Sequence, residues 1–389
     1  MEIIEGFDTD FIPSVTEPAF TTTYFGDGDD ELLVIGTEGE PRAYPVPILD
    51  LHHMINDEID GTPVVVTWCP LCGSGVAYER KIDGRTLTFE FAGKLVDNNF
   101  VMRDRETGSE WKQSTGNCLS GEFEGNELDL CSVRMTTWDE YSAESPNGTV
   151  LERPSARTPY QFYRFEKAMT ALLAHPAGRD VADAVSHLVR AANLVRDPES
   201  GTTNVNVRPF FRIMQGGIEL SDWVFGSAEE RVEYDGVPMD IYERSDAFGF
   251  PPVHGGHRNW EVSELEDIAA KTRTLGVTLG NEALGFPRPR VEEAGRVVQT
   301  TVGGTEIVVF ATEEGLDAFE DPGFEFEPSD DGATFEADDA EWSGVTGESD
   351  DGRVLTRIPG RFTFAYSWQN DHGAAAFYIR DSVERRTNS

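Results

Sequence analysis

Cys69 and Cys72, two residues apart on the turn Cys69-Pro70-Leu71-Cys72-Gly73-Ser74-Gly75, are the residues of this chain best suited to chemistry. Sulfurs at that spacing either interconvert between dithiol and disulfide or supply two soft ligands to a metal ion. In the metal reading His52 and Met102 join them. Two thiolates, an imidazole and a thioether suit copper, because sulfur selects Cu(I) and imidazole accepts either oxidation state. His53, Asp104 and Trp111 are the residues expected to support that set. Zinc is the variant in which Cys118 and Cys131 complete four cysteines. Twelve residues separate those two, whereas a zinc knuckle places its second pair two to four apart, and as small buried hydrophobes they need no metal.

The thiol reading takes the same pair as a redox switch. A strand ending in Trp68-Cys69-Pro70-Leu71-Cys72 resembles thioredoxin superficially, where a helix N-terminus lowers the first thiol's pKa. Here Gly73, Ser74, Gly75 and strand-like Val76 to Tyr78 follow, so no long helix is expected after Cys72 to activate Cys69. A third reading is non-catalytic, a scaffold that binds a ligand and keeps its cysteines for structure. The partner expected is an unidentified small molecule or a metal-delivery protein. His175, His187, His254 and His257 read as surface or loop residues, and no Gly-x-Ser-x-Gly elbow, phosphate loop or dinucleotide fingerprint occurs.

The elements that must position the pair are mostly strands. Val64 to Trp68 is a continuous β-branched and aromatic run, the pattern of a strand covered on both faces. A meander follows: Gly75 to Ile82, the Asp83-Gly84 turn, Leu87 to Phe91, Asn98 to Arg103, Glu110 to Gln113 and Leu128 to Leu130. Upstream, Leu32 to Ile35 and Arg42 to Pro45 read as a hairpin, and Pro47 opens a short helix through His52 that ends near Asn56. Thr136 to Tyr141 opens another short helix. Residues 157–231 read as a helical insertion, with Phe162 to Ala174 in one helix. A second, capped by Asp180, carries Val181, Ala184, Val185, Leu188, Ala192 and Val195.

An internal repeat organises the rest. Leu275 to Pro287 echoes the segment ending Glu40 to Pro45, Val302 to Phe310 echoes Ile59 to Thr67, and Glu341 to Gly347 echoes Glu110 to Gly116. Thr312 and Gly315 then fall opposite Cys69 and Cys72, so the second copy keeps the scaffold and lacks the thiols. The expected fold class is mostly β (α+β). The expected domains are a first β-rich half at 1–156 carrying the site, the insertion at 157–231, and a linker with a degenerate second half at 232–389.

Acidic residues number 71 against 32 basic ones, a net charge of -39, yet aromatics stay at 11%, which separates this chain from acidic disordered sequences. Acid spread through every segment is the pattern of a protein adapted to high salt. The same sign of charge disfavours nucleic acid and anionic membranes. No 18-residue apolar run and no basic-then-apolar leader is visible, so a soluble, cytoplasmic protein without membrane insertion is expected.

The series Arg42-Ala43-Tyr44-Pro45, Ile48-Leu49, His52, Asn56-Asp57, Cys69-Pro70-Leu71-Cys72-Gly73-Ser74, Met102, Asp104-Arg105, Glu106-Thr107-Gly108-Ser109 and Trp111 resembles the domain of unknown function 3179 family, in a haloarchaeal-type form. Tyr234-Asp235, Tyr242 and Phe250-Pro251 look like its continuation. Where the family has an acidic residue after the motif histidine this chain has His53, and Leu51 stands where a tryptophan is common. The resemblance implies no activity, since the family is named for lacking one.

Overall fold

The computed structural model describes residues 1–9, 11–36, 41–154, 180, 184, 187–189, 194–198, 200–212 and 267–379. Strands dominate them. One sheet runs in the order Cys118–Ser120, Glu110–Lys112, Asn99–Asp104, Phe89–Val96, Glu2–Glu5, Thr203–Asn206 and Leu194–Arg196. A second runs Glu282–Pro287, Arg273–Leu279, Gly360–Phe364, Ser74–Glu79, Thr62–Cys69 and Met54–Ile59, with Leu130–Cys131 also on Ser74–Glu79. A third holds Arg134–Thr137, Glu31–Ile35, Arg42–Pro45, Thr149–Leu151 and Phe20–Thr21.

The second sheet mixes the two halves of the sequence. Phe362 pairs with Gly75, so a strand some 290 positions downstream of the cysteine turn lies against it. One apolar core follows from this, with Trp68, Tyr78 and Met102 in the same buried cluster as Leu275, Phe286, Val309 and Ile358. Among the described residues no helix is long and apolar enough to cross a membrane.

Helix Val46–His52 begins after Pro45, with a proline in its first turn. It ends earlier than the sequence pattern suggests. His53 adopts φ 58°, its amide closes on Leu49 O at 2.7 Å, and Met54–Ile59 leaves as a strand paired with Thr62–Cys69. The β-branched partner strand thus captures residues 54–56 from the expected helix. Helix Trp138–Glu144 carries a capping box between Thr137 and Glu140.

Arg273–Leu279, Glu282–Pro287, helix Arg288–Glu293, Val297–Val302, Thr305–Ala311 and Leu316–Glu320 repeat the succession hairpin, proline-started helix and antiparallel strands seen from Glu31 to Glu79. Trp111 lies opposite Met102 across one strand pair, and Trp342 lies opposite Phe335 across another. Much of the expected insertion, including Phe162 to Ala174, lies outside the described residues. Asp180 is helical, but Val195, placed on that helix by its spacing, belongs to strand Leu194–Arg196. That strand is one arm of a hairpin with Thr203–Asn206, closed at Asp197 and Gly201 and paired in parallel onto Glu2–Glu5. Pairing on an open sheet edge has overridden the helical spacing.

Candidate functional site

Strands Thr62–Cys69 and Ser74–Glu79 pair in a register that sets Thr67 opposite Val76 and Cys69 opposite Ser74. Side chains two apart on a strand, and those of cross-strand partners, share one face. Thr67 and Cys69 therefore look out on the same side as Ser74, Val76 and Tyr78. The turn itself is closed by the Cys72 amide donating to Cys69 O at 3.1 Å and that of Gly73 to Pro70 O at 3.4 Å. Gly73 has φ +54°, and a Cβ there would sit 2.7 Å from the Phe364 ring, so both backbone and neighbour demand glycine.

Two pieces of the first sheet meet that face. The hairpin joining Phe89–Val96 to Asn99–Asp104 turns through Asp97 (φ 51°) and Asn98 (φ 70°), the double positive φ of a type I′ turn. Asp97 is clamped by Glu2, whose amide donates to Oδ1 at 2.7 Å and whose carbonyl accepts the Asp97 amide at 2.8 Å. The tip is thereby pressed onto the sulfurs, with Asn98 O 3.4 Å from Cys72 Sγ and 3.9 Å from Cys69 Sγ. Asn99 Nδ2 donates to Cys72 Sγ at 3.6 Å and to Gln113 Oε1 at 2.6 Å, while Asn99 Oδ1 accepts the Ser114 amide at 2.9 Å. Gln113 Nε2 then donates to Thr67 Oγ1 at 2.9 Å and Ser74 O at 3.2 Å, and Tyr78 Oη donates to Gln113 O at 2.8 Å.

The roof comes from the far end of the sequence. The Phe364 amide donates to Cys72 O at 2.8 Å and the Tyr366 hydroxyl to Leu71 O. Helix Ala365–His372 follows, held down by Lys112 Nζ to Asp371 Oδ1 at 2.6 Å and Asn370 Nδ2 to Asp97 O at 3.4 Å. The Ala365 and Tyr366 amides donate to Thr272 O and Ala270 O. What the first helical turn offers Cys72 is therefore its side-chain hydroxyls.

Both thiols are buried and reduced. Burial alone pushes a thiol up, but hydrogen bonds from Cys69, Ser367, Asn99 and Tyr366 outweigh it at Cys72 and hold that thiol below its ordinary value. Cys69 moves the other way. Burial first, then its hydrogen bond to Cys72 and the charge developing there, hold it well above the usual thiol range. The nearby Asn98 carbonyl is an acceptor and opposes ionisation, and the hydrogen bonds that favour the thiolate together prevail over it. Of the two sulfurs, the surroundings favour ionisation at Cys72 and oppose it at Cys69.

The other residues expected at the site stand apart from the sulfurs in different ways. His52 is buried with Nδ1 2.7 Å from Pro13 O, and burial lowers its pKa to about 4. His53 is buried with Nδ1 3.3 Å from Leu49 O and its ring 5.2 Å from Phe100; burial lowers it to about 3. Its carbonyl accepts the Trp68 amide, so it braces the strand that ends at Cys69. Met102 is three residues beyond Asn99 and so projects from the opposite face of that strand. There it is buried and paired with Phe91 and Trp111.

Asp104 takes the Trp111 indole N–H at 2.9 Å and the Thr107 amide at 2.6 Å, which locks the turn 104–108. Cys118 Sγ lies 3.4 Å from Ser120 O, and Cys131, paired opposite Ala77, is pushed up to about 12 by burial and by Glu79 and Asp129. Among the described residues no group of three or more His, Cys, Asp or Glu side chains is placed to hold a metal ion.

Sequence reasoning found the sulfurs and missed Asn99, Gln113, Tyr366 and Ser367. A polar Thr67 closing a valine run and a glutamine just after Trp111 were the available signals for the first two. Tyr366 and Ser367 left none.

Residues 9–192, just under half of the chain, match the model of the family described as Protein of unknown function (DUF3179), which supports membership of that family. No curated protein and no solved structure matches the chain.

Proposed function

We propose that this chain, whose residues 9–192 match the family of unknown function 3179, uses Cys69 and Cys72 as a reversible dithiol–disulfide centre. The observation that supports it is the asymmetry of the pair, with Asn99, Ser367 and Cys69 donating to the Cys72 sulfur and the Tyr366 hydroxyl beside it. An ionised Cys72 beside a protonated Cys69 divides the labour a redox pair needs, one sulfur attacking and the other resolving. Forming the disulfide removes two electrons and two protons in total, both electrons passing to an external oxidant.

The test is a redox titration of protein purified without affinity tags, in mixtures of reduced and oxidised dithiothreitol, with thiols alkylated and mapped by mass. A Cys69–Cys72 disulfide that forms and disappears reversibly is expected. Failure to form it under fully oxidising conditions would overturn the reading. Copper or zinc held at one ion per chain and lost in the Cys69→Ser, Cys72→Ser double variant would replace it with the metal reading and its metal-delivery partner.

Two wider readings go with this one. The recurrence of hairpin, proline-started helix and strands supports a duplication, in which Trp342 and Phe335 correspond to Trp111 and Met102. The acidic excess supports a haloarchaeal-type protein adapted to molar salt.

A further inference from the structure

We propose that the oxidant this pair is built to meet is a small hydroperoxide, hydrogen peroxide itself being the simplest, received among the buried hydroxyls around Cys69 and Cys72. This rests on the dithiol reading above and adds the class of its reaction partner. Size is the first observation. Cys69 is 2% exposed and Cys72 0%, with Phe364 and Tyr366 bonded across the turn that carries them. Thiol–disulfide exchange needs a second disulfide brought in line with the attacking sulfur, and the roof stands in the way of so large a reactant. A molecule of two oxygens meets no such demand.

Hydrogen-bonding capacity is the second observation, and it is independent of the first. Ser74, the cross-strand partner of Cys69, is 1% exposed, and Ser114, whose amide is tied to Asn99, is 4% exposed. Among the described residues neither hydroxyl has a hydrogen-bond partner. Buried polar groups in native proteins are paired as a rule, and an exception calls for an explanation such as a redox or catalytic role. Here one exception is on the residue opposite Cys69 across the strand pair, and the other is on the residue whose amide bonds Asn99, itself a donor to Cys72. Hydrogen peroxide offers two donors and two acceptors, which matches a pair of hydroxyls that each donate and accept.

The chemistry closes on the groups present. The Cys72 thiolate attacks one peroxide oxygen, the O–O bond breaks, and the departing hydroxide takes the Cys69 proton to become water. Cys72 is then the sulfenic acid and Cys69 the thiolate. Cys69 attacks the Cys72 sulfur, the S–S bond forms, and the second hydroxide leaves and is protonated from solvent. Two electrons pass from sulfur to peroxide, and two waters form. A dithiol reductant restores the starting state.

The experiment mixes the reduced, full-length protein in high KCl with hydrogen peroxide and, separately, with oxidised glutathione at equal concentration, and follows the Cys69–Cys72 disulfide by quenched alkylation and mass. With peroxide, the disulfide is expected to form faster than free cysteine is oxidised at the same pH, by about tenfold or more. Oxidised glutathione should be slower than peroxide. Ser74→Ala and Ser114→Ala should each slow the peroxide arm by about fivefold to tenfold, the loss of one hydrogen bond. A peroxide rate no better than free cysteine, or serine variants indistinguishable from the parent, would overturn the peroxide inference while the dithiol reading stands. Absence of the disulfide with every oxidant would overturn both.

Discussion

Acidification below pH 6.5 should draw stability from this protein through His52 and His53. Both imidazoles are buried, and desolvation holds them at about 4 and about 3 against an ordinary value of 6.5. The unfolded chain therefore binds protons that the native state refuses. Stability is full above pH 6.5 and falls as pH drops below it, until the native-state values are reached. At 1.36 kcal/mol per unit, going from pH 6.5 to 5 costs about 2 kcal/mol for each histidine, or about 4 kcal/mol together, a large share of an ordinary stability. His372, also lowered by burial, acts in the same direction, whereas Glu314, raised to about 7 by burial, gains stability as pH falls from 7 and offsets part of the loss.

The assay is urea unfolding at constant KCl between pH 7.5 and 5, in parent and in His53→Asn. Asparagine tolerates the positive φ of position 53 and does not titrate. Loss of ring packing will lower the stability of the variant at every pH, so the informative quantity is the slope. The slope of His53→Asn should be smaller than the parent's by roughly 1.4 kcal/mol per pH unit, the contribution of one histidine. A parent whose stability is flat from pH 6.5 to 5, or a variant with the parent's slope, would refute the neutral, buried assignment.

Gly73→Ala should destabilise by about 2–4 kcal/mol, since a non-glycine residue at φ +54° is strained and its Cβ meets the Phe364 ring at 2.7 Å. Because that ring begins the roof, the variant should also alkylate at Cys72 faster under native conditions; thermal unfolding and timed alkylation check both effects. The midpoint of urea unfolding should rise as KCl is raised from about 0.1 M to 2 M, because the repulsion among 71 acidic residues is screened over ever shorter distances. An unchanged midpoint would remove the salt-adaptation reading.

What the sequence disclosed was local. The Asp83-Gly84 turn has φ 48° and 76°, both positive as its residues require, and the proline-started helix and the strand into Cys69 lie where their patterns put them. The environment of Cys72 was not disclosed, because its donors arrive from Asn99, Tyr366 and Ser367 across separations of up to 295 residues. Neutral amides and hydroxyls carry no charge pattern to betray them. His52 and Met102 were expected at the site by residue type. Imidazole and thioether are metal ligands by type, but a backbone carbonyl satisfies one and an aromatic strand pair buries the other.

The missing macrodipole shows the same division. No helix follows Cys72 in sequence, and the strand Ser74–Glu79 confirms the local argument. The fold nevertheless brings the first turn of helix Ala365–His372 to that sulfur, delivering hydroxyl donors where a thioredoxin-like turn would use amides.

On the duplication reading, the two turns differ in what closes them, and that difference accounts for where the chemistry went. Over the second-half turn, Arg288 donates to Thr312 O at 2.8 Å and Glu313 O at 3.4 Å, so a guanidinium satisfies the backbone carbonyls directly. Over the first, Phe364 and Tyr366 satisfy Cys72 O and Leu71 O, and the element carrying them also brings Ser367. A guanidinium donates and cannot accept, and it offers a fixed charge. Hydroxyls on a separate helix donate, accept, and retreat if the helix lifts. At the first turn the Tyr366 hydroxyl is taken by Leu71 O, so the hydroxyl left to serve the Cys72 sulfur is that of Ser367. Removing the Ser367 hydroxyl should therefore raise the Cys72 thiol while leaving the second-half turn untouched.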